Sequence, residues 1–256
     1  MAPHKHCLLV AGFLISSLVL PTPLTAEPVR LLANTSPPYA DQRLPEKGLA
    51  LELVAHLMSE AGYESELSIE TWSRALEGVR IGVYDALATA WYSEERAADF
   101  LFSEPYLDSR LIILKLRSAP GDYYALEDLA GKRLGVRADY AYGLDFAAVP
   151  ELTLVQENHL IQNLMNLLNG KVDMVIGDQR TVALQLQEYL PTQRHKLEVL
   201  PIELPGRSRH VAASRALEGS EKMIEAFNRA LAEGRRDGSV AAIIKKWDAR
   251  YKIATE

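Results

Sequence analysis

Residues 159–189 read HLIQNLMNLLNGKVDMVIGDQRTVALQLQEY, from His159 to Tyr189, and this run sets the layer type of the fold. His159 to Asn169 carries Leu160, Ile161, Leu164 and Leu168 at the spacing of one helical face. Val172 to Ile176 is a short apolar run that reads as a buried strand, and Gln179 to Tyr189 reads as a second helix. Asp178 falls at the strand-to-helix junction, where an N-cap residue belongs. A helix, a buried strand and another helix in immediate succession imply α/β layers with a largely parallel sheet.

The same alternation extends in both directions. Upstream, a strand at Lys132 to Val136 follows the turn Leu129-Ala-Gly131, then a short helix at Gly143 to Ala147 and a strand at Leu152 to Gln156. Downstream, Leu197 to Ile202 reads as a strand. An earlier series begins with a strand at Val29 to Ala33 and a Ser36-Pro-Pro-Tyr39 loop. A helix at Leu49 to Ala61 follows, with Leu53, Val54, Leu57, Met58 and Ala61 on one face and Gly62 as its stop. Strands at Glu66 to Ile69, Ala86 to Ala90 and Leu111 to Leu116, and a helix at Trp72 to Val79, complete that series. Helices at Glu221 to Glu233 and Ser239 to Tyr251 close the chain. Two α/β series in 256 residues suggest two lobes, and no internal repeat relates them.

Composition narrows the function classes. His4, Lys5 and His6 precede an apolar stretch from Cys7 to Leu20, and the segment ends in small and proline residues at Ala26. That is the layout of a secretory signal peptide, cleaved after Ala26, with an apolar run too short to span a membrane comfortably. The expected destination is the periplasm. Cys7 is the only cysteine and leaves with the leader, which excludes disulfides, thiolate metal sites and cysteine nucleophiles from the mature chain. A net charge of −6 gives no electrostatic footprint for nucleic acid or anionic lipid. The scattered histidines offer no His-x-x-x-His metal pair, and no nucleophile elbow or phosphate loop appears, so neither a metal nor a cofactor is expected.

The segment Ser93-Glu-Glu-Arg96-Ala-Ala-Asp-Phe-Leu-Phe102-Ser-Glu-Pro-Tyr106, taken with Gly170 to Asp178, resembles bacterial extracellular solute-binding proteins of family 3. The resemblance implies a type II periplasmic-binding-protein fold, with two α/β lobes joined by a two-crossing hinge and a ligand cleft between them. It places residues 27–115 and 210–256 in the first lobe and 116–209 in the second, with the crossings near Lys115 to Ala119 and Pro205 to His210. It implies capture of a small polar solute, an amino acid or a relative of one, by a monomer that delivers it to the membrane subunits of an ABC importer. In the family an arginine at the position of Arg96 grips the ligand carboxylate, and an aspartate at that of Asp178 grips the ammonium. Thr89 would assist Arg96, while Ser36, Tyr39, Trp72, Trp91 and Tyr140 would line the cleft.

Each of these residues also has an ordinary role open to it. Arg96 could be a solvated charge beside Glu94 or Glu95, Asp178 a helix cap, and each aromatic part of the core. Trp91 and Tyr92 depart from the small or hydroxyl residues common at those positions, and the largest departure from the family pattern lies in the second lobe. After the strand at Lys132 to Val136, relatives carry a Gly-Ser/Thr-Thr turn, whereas this chain reads Arg137-Ala-Asp139-Tyr140. Asp139 facing the cleft would oppose a simple carboxylate ligand. Some relatives are periplasmic dehydratases, and Asp139 and Glu157 are the nearby acids for such chemistry. The alternatives are a periplasmic lyase on the same fold and a ligand-sensing module for a membrane receptor, and the balance of residues favours a transport binding protein over an enzyme.

Overall fold

A computed structural model describes residues 27–138 and 140–251. The expected leader at 1–26, Asp139 and residues 252–256 lie outside the described residues. The first series folds around a sheet containing β1 (Val29–Asn34), β2 (Ser65–Glu70) and β3 (Ala86–Trp91), with α1 (Leu49–Glu60) and α2 (Trp72–Arg80) on its two faces. β1 pairs in parallel with both β2 and β3. A one-turn helix α3 (Glu94–Ala97) follows β3, then two three-residue strands, β4 (Phe100–Phe102) and β5 (Leu107–Ser109).

The second series builds its own sheet from β6 (Leu111–Leu116), β7 (Arg133–Arg137), β8 (Thr153–Glu157), β9 (Met174–Asp178) and β10 (Leu197–Val199). Its helices are α4 (Leu160–Leu168) and α5 (Gln179–Glu188). The strand order is β10-β6-β9-β7-β8. β11 (Arg207–Ser214) then returns to the first sheet, whose order is β2-β1-β3-β11-β4, with β5 also on β11. The chain ends with α6 (Ser220–Arg236) and α7 (Ser239–Arg250), packed on α1 through Leu53, Leu57, Phe227, Leu231 and Trp247.

The first crossing falls earlier than expected, while the second lies within the expected Pro205 to His210 range and only the lobe boundary at 210 moves. Leu111 to Leu116 belongs to the second sheet, and Arg207 to His210 is strand in the first. The crossings are therefore at Arg110 and at Pro205-Gly206. The apolar run explains the first difference. Leu111 and Ile113 pack into one core of the second lobe, while Ile112 and Leu114 pack into the other. A strand buried on both faces needs two neighbours and two covered sides. β6 finds them between β10 and β9.

The expectation of largely parallel sheets holds only for part of each. β11 runs antiparallel to β3, β4 and β5, and β6 runs antiparallel to β9 and β10. Those two strands enter directly from the other lobe, so no crossover helix reverses the chain before they pair. The expected helix at Gly143 to Ala147 is only a 3₁₀ turn at Phe146–Ala148.

Candidate functional site

In open α/β sheets, ligands bind outside the carboxyl ends of the strands. Here the parallel strands of both lobes end on one cleft of about 640 Å³. Asn34 follows from β1, Glu70 from β2, and Thr89 and Trp91 from β3. The opposite wall has Arg137 from the end of β7, Asn158 just past β8, and the adjoining Tyr140 loop. The N-termini of α2 (Thr71, Trp72, Ser73) and α4 (His159) border the same space. The dipoles of these two helices give the cleft a positive bias.

Arg96 lines the cleft as expected. One of its Nη atoms donates to the Trp91 carbonyl at 2.9 Å, and the guanidinium carbon lies 4.6 Å from the centroid of the Trp72 ring. Burial holds its pKa below the ordinary arginine value, with Glu95 only partly offsetting this. Neither Glu94 nor Glu95 forms an ion pair with it among the described residues, which leaves the fork available to an anion. Thr89 is buried in β3 and faces the cleft.

Trp91 contributes to the cleft and also ties the lobes together. Its ring lies 4.9 Å from Tyr140 at 73° and 6.5 Å from Tyr142, so a first-lobe side chain sits in the second-lobe core. Its indole Nε1 is buried with no hydrogen-bond partner. Trp72 and Tyr140 line the cleft too.

Ser36, Tyr39 and Asp178 take a different place. None of them lines the cleft. Tyr39 donates its phenol to both Asp178 oxygens, at 2.7 and 2.8 Å. Oδ1 of Asp178 also receives the Thr181 amide at 2.9 Å and its hydroxyl at 3.1 Å, which is the N-cap of α5. Burial, reinforced by the Asp178 carboxylate, pushes the Tyr39 phenol far above its usual range, so it stays a donor. With three donors on it, the Tyr39 hydroxyl shared between both oxygens, Asp178 has little acceptor capacity left for an ammonium. Ser36 is buried in a turn, its hydroxyl 3.3 Å from the Asn34 carbonyl.

The sequence reading did not single out two arginines in the lining, Arg137 and Arg209. Arg209 is only 3% exposed, lies 3.6 Å over the Tyr39 ring, and has a buried Nε without a partner. Its signal was period two: Arg209, Val211 and Ala213 share a strand face, and the other two are fully buried. Arg137 stands at the carboxyl end of a parallel strand, with Nη1 at 2.5 Å from the Tyr140 hydroxyl and a buried, unpartnered Nε. Of the two acids raised for a dehydratase, Asp139 lies outside the described residues. Glu157 accepts from Asn166 Nδ2 at 2.9 Å and is absent from the cleft lining.

Two α/β lobes joined by two crossings, with a polar cleft at the strand ends, are the type II periplasmic-binding-protein fold. The amino-acid substrate-binding protein AbpA from Streptococcus pneumoniae, solved bound to L-arginine, has this fold: TM-score 0.71, 20% identity, covering 89% of this chain and 96% of that one. An ancestral arginine-binding protein bound to arginine matches at TM-score 0.72 and 20% identity, over 86% and 97% of the two chains. The chain belongs to the bacterial extracellular solute-binding proteins, family 3, whose model matches residues 31–249. It is 27% identical over 225 residues to the L-cystine-binding protein TcyJ of Escherichia coli K12, covering 84% of this chain and 80% of that protein. It is 22% identical over 206 residues to the ABC transporter arginine-binding protein 1 of the same strain, covering 78% and 81%.

Proposed function

We propose that this protein captures a small polar solute, an amino acid or a relative of one, by closing its lobes, and delivers it to an ABC importer. The observation that carries this reading is Arg96: a half-buried guanidinium on the cleft wall, stacked on Trp72 and held through one Nη by a carbonyl. In this reading Arg96 grips a ligand carboxylate with help from Thr89, and Trp72, Trp91 and Tyr140 flank the ligand body. Tyr39, Ser36 and Asp178 shape the floor beneath it. The cystine- and arginine-binding roles of the relatives support the transport assignment.

The protein acts as a monomer in the periplasm, exported by a leader cleaved after Ala26 and coupled to membrane subunits of an importer. It is a binder rather than an enzyme. Among the described residues no helix is long and apolar enough to cross a membrane. Thermal-shift screening of the exported protein against metabolites, followed by calorimetry, tests the reading. Saturable binding without conversion of the compound is expected. Turnover of a prephenate-like acid, or no binding by any small solute, would overturn it.

A further inference from the structure

Three guanidinium groups line the cleft: Arg96 from the first lobe's wall, Arg209 from β11 and Arg137 from β7. None of them forms an ion pair with a carboxylate among the described residues. Arg209 and Arg137 each keep a buried Nε with no acceptor, and Arg209 is 3% exposed. The one described carboxylate in the lining is Glu70, which lies 3.7 Å from Arg74 at the exposed end of α2. The N-termini of α2 and α4 add further positive potential to the same space. Asp178, the natural acceptor for an ammonium, is bonded to Tyr39 and Thr181 instead.

A buried cation is costly unless it is paired. Asp178 offsets part of the Arg209 charge at longer range, so a monocarboxylate held by Arg96 would still leave Arg137 with no facing carboxylate and Arg209 only partly compensated. A zwitterion would also bring a positive charge into a wall that is already cationic. We propose that the ligand is a small dicarboxylate, one carboxylate held by Arg96 and the other by Arg137 and Arg209. The Trp91 indole N–H, buried and without a partner, is a further donor for one of those oxygens. The aromatic faces of Trp72 and Trp91 flank the carbon chain between them. This deepens the proposed function and rests on the cleft being a solute site.

Calorimetric titration of the full mature chain with glutarate, L-glutamate, L-glutamine, L-arginine and glycerol phosphate tests the inference. Glutarate is expected to bind at least about tenfold more tightly than L-glutamine or L-arginine. L-Glutamate is expected to bind no better than glutarate, because the one described carboxylate in the lining, Glu70, already lies beside Arg74 and is solvent-screened. The Arg137→Gln variant, altered at a strand end rather than in the core, should lose about thirtyfold or more in glutarate affinity. Its affinity for L-glutamine should stay within about threefold of wild type. Arg209→Gln should behave like Arg137→Gln; its melting temperature shows whether the fold survives, and Arg137→Gln decides if it does not. Tighter binding of L-glutamine, L-arginine or glycerol phosphate than of glutarate would overturn the dicarboxylate assignment and leave the solute-binding reading standing. Failure of the entire panel to bind would overturn the dicarboxylate assignment, and the broader metabolite screen then decides the solute-binding reading. Equal loss of glutarate and L-glutamine affinity in Arg137→Gln would also contradict a second carboxylate subsite.

Discussion

The floor of the cleft and its walls use the same residue types in opposite ways. On the floor, polar groups are bonded to one another across the lobes. Tyr39 of the first lobe meets Asp178 of the second, and Arg180 of α5 pairs with Asp248 of α7 at 2.6 and 3.0 Å. Arg180 also donates to the Asp108 carbonyl at 2.9 Å. On the walls, Arg96, Arg137 and the Trp91 indole are held against neighbours but keep donors free. Saturated polar groups fix how the lobes sit, and under-bonded ones wait for a partner from solution. Arg209 lies at the boundary, stacked on the floor's Tyr39 yet lining the cleft.

Removing a wall residue should therefore cost affinity, and removing a floor residue should cost stability. The largest effect is expected from Arg96→Ala. Truncating one partner of a desolvated charge pair costs about 2–5 kcal/mol of binding, roughly thirtyfold to several-thousandfold. Calorimetry with the tightest solute from the screen measures it, and the melting temperature should barely move. Next comes Asp248→Ala, which strands a largely buried Arg180; the pair's side chains are only 7% and 17% exposed. A loss of about 3 kcal/mol in urea unfolding is expected, at the low end for breaking a buried pair because Arg180 retains a carbonyl. Tyr39→Phe removes one donor from Asp178 and should cost about 1–2 kcal/mol of stability.

The smallest effect concerns pH. Arg133 holds the Asp173 carboxyl below its ordinary value through hydrogen bonding, which outweighs a burial effect of opposite sign. A carboxylate with a depressed folded-state pKa contributes stability that is complete above its unfolded value, near pH 4, and lost as pH falls through the folded value. This exposed pair is solvent-screened, so acid unfolding of Asp173→Asn should track wild type closely.

Much of this was readable in the sequence. The α-β-α run at His159 to Tyr189 gave the layers because its periodicities are unmixed, and the Arg96 segment pointed to a cleft residue. What escaped has physical reasons. β11 begins Arg207-Ser-Arg-His, a polar start that hides a strand pairing with three others. β6 gave no local sign of which sheet it would join, because a strand apolar on both faces suits the centre of either. Asp178 could be read as a cap or as a ligand group from its position alone. Its occupancy depends on Tyr39, 139 residues away, and no local pattern reports that contact.

The most direct test of the division between floor and wall is a crossed measurement on Arg96→Ala and Tyr39→Phe. Both variants are titrated with the tightest-binding solute and melted without it. Arg96→Ala should lose at least about thirtyfold in affinity with an unchanged melting temperature. Tyr39→Phe should melt several degrees lower and keep affinity within about threefold. Undiminished affinity in Arg96→Ala, or collapse of affinity in Tyr39→Phe with no loss of stability, would contradict the account.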